Sequence, residues 1–470
     1  MKKLLFLAFA LPFFWMAFLN QGLPFSTMDD PTLLYMAQTT PYEKIISRVI
    51  NPLTPTWSYQ LEMQGGGEQN QLGLRPIELL IWKLLLSCFG YAPAAYFLVK
   101  AVYLALVSAL IFFITWRLTE NKTMATLAAL FYSTALPCYM SVFFISDFGL
   151  LAQFIQGLAA LLFLDIVEKT EEGELALPKL FRLCGALFLT LWLGIKTYET
   201  VKILPFIFLA FLVLRNLRNL TSWIRQKKNI ALTAWLLSLF VLVVPFTANF
   251  KAVNRTAEVK NTLLPNYHWD TLYRSLLQNT KNAWETEPDI ALFSFKSCLP
   301  FSIARTLGFF LCWAVVFALL YLLLRRNSLW KSLDRRKQLL WSFSGLWLLA
   351  DFAALGTARE ADPRHLMVPL IPVTIFLASS FFFIRQAPGT RARKVFSTVL
   401  LIGWCFSFFT NLDHQMYFRK FLGGFQIGQE KYLNFIYEDY HGKKAQSYNN
   451  MINFMLVHQA LNIWHIPFIV

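Results

Sequence analysis

Charged residues are scarce in this chain. Of its 470 residues only 15% are charged, whereas soluble domains carry roughly 25%. Apolar residue types make up 56% of the sequence, and the mean hydropathy is +0.47. Long apolar runs exclude a disordered chain and make nucleic-acid binding a poor explanation of the net charge of +16. A basic excess on such a chain indicates a membrane protein with asymmetric loops.

Motifs of soluble enzymes and metal sites are also missing. The six cysteines form no CxxC pair, and the six histidines show no metal-ligand spacing. There is no Gly-rich phosphate loop, HExxH, GxSxG or dinucleotide fingerprint. We therefore expect no nucleotide-powered chemistry, and we expect the cysteines to be small core side chains.

Long apolar runs are the dominant feature that is present. A spanning helix needs about 20 mostly apolar residues, and shorter runs are acceptable inside a bundle. This criterion predicts an all-α polytopic membrane protein with eleven transmembrane helices. The predicted spans are 4–19, 94–116, 125–140, 148–167, 181–195, 201–214, 230–250, 301–324, 339–355, 366–384 and 395–409.

Basic residues predict the orientation of these spans. Lys2 and Lys3 favour a cytoplasmic N-terminus, and no small-residue cleavage site follows the first run, so we expect an uncleaved anchor. Alternation then places every basic cluster on the cytoplasmic side and exports the C-terminus. The clusters are 117–122, 169–182, 215–228, 325–337 and 385–394.

Three segments are then exported. They are a first loop, 21–93, a second loop, 251–300, and the segment 411–470 that follows the transmembrane domain, 1–410. In the first loop, the run 77–89 is too short and too charged to span comfortably, which predicts an interfacial helix. The apolar but amide- and histidine-containing stretch 451–470 is predicted to lean on the membrane without crossing it.

A pair of carboxylates, Asp29 and Asp30, follows the first span. One explanation is helix capping, since Pro31 favours the start of a helix. The other is catalysis, because a carboxylate at a membrane surface can be tuned by its neighbour and by burial to act as a general base. The two roles are compatible, because one aspartate can cap the helix while the other acts as the base.

Further charged residues lie at predicted exported span ends. Each has a structural alternative, because arginines at span ends contact lipid head groups, aspartates cap helices and close opposite charges pair across turns. Asp351, within an apolar run, is either a buried functional acid or a group that reaches water. The candidates at span ends are Arg75, Asp147, Lys196, Glu199, Arg364 and His365.

The order of these motifs resembles the GT-C superfamily of polytopic glycosyltransferases, in particular its protein O-mannosyltransferase and aminoarabinose transferase branch. The resemblance covers roughly residues 1–385. It implies that Asp29 is the catalytic base, that Asp30 is the second acid, and that Arg75 and Arg364 contact the lipid phosphate. His365 stands where the family usually has an aromatic residue.

The resemblance implies an inner-membrane, inverting enzyme of a bacterial cell envelope. Its donor is a polyprenyl-phosphate sugar and its acceptor an exported glycan, lipid or protein. No cofactor is required for a monophosphate donor, although Asp29, Asp30 and Asp147 could hold a divalent cation. The alternatives are a flippase or transporter of lipid-linked saccharide, a non-catalytic envelope subunit, and a polymerase or ligase that uses diphosphate-linked glycans.

Overall fold

The computed structural model describes residues 2–23, 25, 30–50, 57–61, 70–145, 147, 149–171, 176–216, 334–355 and 369–386, with a few single residues elsewhere. This part is predominantly helical. The helices are α1 (Lys2–Leu19), α2 (Asp30–Thr39), α3 (Tyr42–Ile50), α4 (Pro76–Phe89), α5 (Pro93–Thr119), α6 (Lys122–Thr134), α7 (Leu136–Phe143), α8 (Gly149–Glu171), α9 (Leu177–Thr197), the 3₁₀ helix η1 (Glu199–Ile203), α10 (Leu204–Asn216), α11 (Arg335–Leu355) and α12 (Leu370–Gln386).

Eight of the eleven predicted spans fall mostly within the described residues, and their described parts are helical apart from a break in 125–140. The other three, 230–250, 301–324 and 395–409, lie outside the described residues apart from single positions. In the described part, α5, α8 and α9 are long and apolar enough to cross a membrane. A fourth crossing results if α6 and α7 form one span. The chain therefore has the character of a membrane protein.

In the structure, the predicted span 125–140 is not one continuous helix. Its halves, α6 and α7, meet at an angle of 55°. Ala135 between them adopts an extended conformation, with φ −60° and ψ 137°. Pro137 lies in the first turn of α7, where its ring and its missing N–H group prevent continuation of α6.

The first predicted exported loop contains two features. The predicted interfacial run is helix α4, which contacts α2, α3 and α9. Ahead of it, β1 (Trp57–Leu61) and β2 (Asn70–Leu74) form an antiparallel hairpin in which Trp57 pairs with Leu74 and Leu61 with Asn70. The sequence pattern did not predict this hairpin.

Helix α5 lies at the centre of the described bundle and packs against α1, α6, α8 and α12. A separate aromatic group joins α8, α10 and α11, where the rings of Phe163 and Phe208 stack at 4.1 Å and Phe343 contacts both. Among the cysteines, Cys138 and Cys184 are buried as expected, but Cys88 is exposed and is therefore not a core residue.

One end of the bundle collects ion pairs. Arg117 at the end of α5 pairs with Asp165 and Glu168 near the end of α8. Arg215 at the end of α10 holds Glu171 through two hydrogen bonds of 2.6 and 2.8 Å. These ends belong to segments that alternation places on one side of the membrane. The structure thus brings together the basic ends that the sequence pattern assigned to a common face.

Candidate functional site

Helix α4 begins with a proline directly after Arg75, and this start positions two buried side chains. Pro76 occupies the first helical position, where its fixed φ suits a helix. Glu78 and Trp82 lie one turn apart on the same face of α4, and both are fully buried. The opening of α4 therefore directs an acidic side chain into the bundle.

Lys83 joins α4 to the helix that carries the predicted acid pair. Its Nζ donates a hydrogen bond to the carbonyl of Ala37, near the end of α2, at 2.9 Å. Helix α2 begins at Asp30, one residue before Pro31, so the predicted helix start is correct to one residue. The side chain of Asp30 is fully buried.

Lys100, near the start of α5, connects these elements to α8. Its Nζ donates a hydrogen bond to the backbone carbonyl of Asp147 and lies 5.7 Å from the centroid of the Trp82 ring. The Asp147 carboxylate accepts hydrogen bonds from Ser141 Oγ and from the Gly149 N–H, both at 2.8 Å. Asp147 therefore orders the turn before α8 and also holds Lys100, which makes it a positioning residue.

Five side chains form what we call the buried charge cluster: Asp30, Arg75, Glu78, Lys100 and Asp147. Lys100 lies within electrostatic range of all four others, and Glu78 within range of Lys100, Arg75 and Asp147. Three acids thus face two bases. Asp30, Glu78 and Lys100 are fully buried, whereas Arg75 and Asp147 are half-buried. Charged groups buried in an apolar bundle are costly, and they usually mark a substrate or ion pathway.

Glu78 is the group most altered by this environment. Burial raises the pKa of its carboxyl to about 7, although the charges of Lys100 and Arg75 lower it. Within the described part of the chain, neither carboxyl oxygen has a hydrogen-bond partner. A carboxyl with a pKa near neutrality is suited to accept or donate a proton at physiological pH.

Arg75 lies at the border of the cluster. Its guanidinium carbon sits 4.0 Å from the centroid of the Tyr198 ring, a cation–π contact with the residue directly after α9. Stacking on the ring fixes the plane of the guanidinium, and a guanidinium can bind a planar or tetrahedral anion through two of its N–H groups. Tyr198 follows Lys196 by two residues, so the end of α9 is next to the cluster.

The predicted site residues divide into three groups. Asp30, Arg75 and Asp147, which are separated by more than a hundred residues of sequence, lie together in the buried charge cluster. Lys196 does not join them and instead lies near Arg48 and Lys202. Asp29, Arg364 and His365 lie outside the described residues, as does the side chain of Glu199.

Sequence reasoning did not select Glu78 and Lys100. The signal that identifies Lys100 is that it is the single charged residue in a long apolar run, 94–116. A charge in such a run costs free energy and usually has a function. Glu78 is the only acid in the run 77–89. Asp351 in α11, which was left open, is fully buried.

A metal site is not formed by the residues that the structure describes. Among them, no three His, Cys, Asp or Glu side chains are arranged to hold an ion. The Asp147 carboxylate already accepts two hydrogen bonds. The predicted divalent cation therefore depends on Asp29, which is outside the described residues, and it stays a prediction.

A comparison with protein-family models finds no matching family, and a comparison with curated proteins finds no matching relative. The resemblance to the GT-C superfamily therefore rests on the order of the motifs alone.

Proposed function

We propose that this chain is an integral-membrane, inverting glycosyltransferase that moves a sugar from a polyprenyl-phosphate carrier to an exported glycan, lipid or protein. The observation that carries this proposal is the buried charge cluster. Carboxylates and cations from α2, α4, α5 and the turn before α8 meet at one end of an apolar bundle. Sugar transfer from a lipid phosphate needs both kinds of group.

The reaction assigns a role to each charge. The acceptor hydroxyl attacks the anomeric carbon, its proton passes to a carboxylate, and the bond from carbon to phosphate oxygen breaks with its electron pair retained by the phosphate. Asp29, with Asp30 beside it, is the proposed base. Arg75, together with Arg364, is the proposed clamp for the charge that develops on the phosphate. The positive charge of Lys100 offsets the negative charges of the nearby acids.

We further propose the topology that goes with this function. The chain crosses a bacterial inner membrane eleven times, with a cytoplasmic N-terminus and the cluster near the exported face. The ion pairs of Arg117, Arg215 and Lys337 at the opposite end support this arrangement, because they involve the segments predicted to be cytoplasmic.

A transporter of lipid-linked saccharide is the second candidate. The observation in its favour is Lys100, a fully buried charge within a helix long enough to span. Charged groups at such positions form proton relays in pumps and transporters. A transporter moves the lipid-linked sugar intact, whereas a transferase releases the lipid phosphate.

The test is the glycan composition of the cell envelope in a knockout, which identifies the sugar and the acceptor together. Complementation with Asp29→Asn or Asp30→Asn is expected to give normal membrane abundance and no transfer. Asp165→Asn is the matched control, because this acid lies in an ion pair at the other end of the bundle. Near-wild-type glycan from both Asp29→Asn and Asp30→Asn would refute the proposal.

A further inference from the structure

The break between α6 and α7 leaves a backbone carbonyl without its helical partner. In a continuous helix the N–H group of residue 137 would donate to the carbonyl of Ser133, but Pro137 has no N–H group. Inside an apolar bundle a backbone carbonyl without a hydrogen bond costs free energy. The break therefore requires a hydrogen-bond donor from another part of the chain.

Gln415, which follows the last predicted span, supplies this donor. Its Nε2 lies 3.3 Å from the carbonyl oxygen of Ser133 and 3.4 Å from that of Ala135. Its Oε1 accepts a hydrogen bond of 2.7 Å from the indole Nε1 of Trp15. The side chain of Gln415 is fully buried. One amide group thus joins the break to α1.

Arg419, one helical turn after Gln415, joins the same segment to the end of α1. Its Nε donates a hydrogen bond to the carbonyl of Leu19 at 2.6 Å, and its Nη2 donates to the carbonyl of Gln21 at 3.2 Å. The last carbonyls of a helix have no partner within the helix, and a cation at this end interacts favourably with the helix dipole. Arg419 therefore stabilises the end of α1.

The segment that holds Gln415 and Arg419 runs parallel to the end of α1. Trp15 pairs with Gln415 and, one helical turn later in both segments, Leu19 pairs with Arg419. A chain with eleven spans requires this direction, because its first and last spans cross the membrane in the same sense. The contacts support an exported location for Arg419, beside the first exported loop.

Helix α7 connects the break to the buried charge cluster. Ser141 in α7 donates a hydrogen bond of 2.8 Å to the Asp147 carboxylate, and the backbone carbonyl of Asp147 accepts the hydrogen bond from Lys100. On the other side of the break, Tyr132 of α6 donates to Gln153 of α8. A movement of α7 relative to α6 would therefore change the position of Ser141 relative to Asp147.

We propose that Gln415 and Arg419 are positioning residues, which fasten the segment after the last span onto the break and, through α7, hold Asp147 and Lys100 in the buried charge cluster. On this proposal, the beginning of the exported segment 411–470 supports the site. The coupling between the break and the cluster does not depend on the chemistry of the cluster, whereas its effect on sugar transfer rests on the proposed function.

The test is a double-mutant cycle on the full chain, measured by denaturant unfolding in mixed micelles. Gln415→Met keeps the length of the side chain and removes both hydrogen-bonding groups, and Ser141→Ala removes the contact of α7 with Asp147. Each is expected to raise the unfolding equilibrium constant about tenfold. The double variant is expected to raise it by clearly less than the product, about a hundredfold, because the second loss acts on a helix that the first has already released.

Thr126→Ala is the matched control for Ser141→Ala. The Thr126 hydroxyl also donates a hydrogen bond, to the carbonyl of Lys122 at 2.9 Å, but at the opposite end of α6. Combined with Gln415→Met, this control should give the product of the two single effects. The same product from Gln415→Met with Ser141→Ala would overturn the proposal. If Gln415→Met does not fold, Arg419→Gln takes its place in the cycle, because Arg419 is partly exposed.

A pH measurement separates positioning from a general loss of stability. Burial raises the pKa of Glu78 to about 7, and the charges of Lys100 and Asp147 also act on this pKa. Gln415→Met should therefore move the pH midpoint at which the stability contributed by Glu78 is lost, measured as the difference from the same protein with Glu78→Gln. Thr126→Ala should leave this midpoint at the wild-type value. An unchanged midpoint in Gln415→Met would overturn the positioning role.

The outcome is independent of the transfer assay. Coupled unfolding effects and a moved midpoint, together with envelope glycan that is unchanged in the knockout, would refute the proposed function and leave this inference intact. Transfer that needs Asp30, with independent unfolding effects of Gln415→Met and Ser141→Ala, would refute this inference alone.

Discussion

The replacement of Glu78 by glutamine should change how the stability of this protein depends on pH. Burial raises the pKa of Glu78 from 4.5 to about 7. The folded protein therefore holds a proton that the unfolded chain releases between these values. It follows that the carboxyl contributes stability that is fully present below pH 4.5 and is lost as the pH rises through 7.

The size of the effect follows from the shift. One pKa unit corresponds to 1.36 kcal/mol, so the wild type should lose about 3 kcal/mol of unfolding free energy across this range that Glu78→Gln keeps. The measurement is denaturant unfolding in mixed micelles at several pH values between about 5 and 8. The difference between the two proteins at each pH isolates Glu78 from all other titrating groups.

Two further variants sharpen the test. Glu43→Gln removes an exposed acid of α3 and is the matched control for the loss of a carboxyl group. Lys100→Met removes the nearest compensating charge and should move the loss of stability to higher pH, because the charge of Lys100 lowers the pKa of Glu78. A difference between wild type and Glu78→Gln that does not change with pH would refute the reasoning.

Three other predictions concern packing, donor binding and topology. Gly194→Ala should destabilise the protein by about 1–3 kcal/mol in denaturant unfolding, because the new Cβ would be 2.7 Å from Val201 Cγ1 and 2.9 Å from Ile155 Cγ2. Gly185→Ala in the same helix has open space and should stabilise by roughly 0.5–1 kcal/mol; equal effects would contradict the packing argument. Arg364→Ala should weaken donor binding more than acceptor binding in steady-state kinetics, and an unchanged donor dependence would refute the phosphate role. A reporter fused at Val470 should behave as exported, whereas cytoplasmic behaviour would mean an even number of spans, such as a twelfth in 451–470.

The helices were largely predictable because their signal is local. Runs such as 94–116 and 148–167 are apolar enough to identify helices without any knowledge of their partners, and α5 and α8 match them within a few residues. The break at Ala135 was missed because the hydropathy of the run is continuous across Pro137. The hairpin of β1 and β2 was missed because each strand has only five residues.

The site was predictable only in part because its members come from distant segments. Asp30, Arg75 and Asp147 were selected since charges at span ends are visible in sequence. Glu78 and Lys100 were missed because each is flanked by apolar residues, and only the packing of α4 on its neighbours shows that they meet. Lys196 was selected because a charge so close to two spans is unusual, but its neighbours Arg48 and Lys202 become visible only when α3 folds against α9.

The proposed function requires that residues of the buried charge cluster take part in sugar transfer from a lipid phosphate. The most direct measurement uses the purified full chain in nanodiscs, with a polyprenyl-phosphate sugar and the acceptor identified from the knockout, and follows the release of free polyprenyl phosphate. We expect release by the wild type, loss of release in Asp30→Asn, and full release in Asp165→Asn. Release at the wild-type rate by Asp30→Asn and Asp29→Asn, or no release by the wild type, would contradict the proposed function.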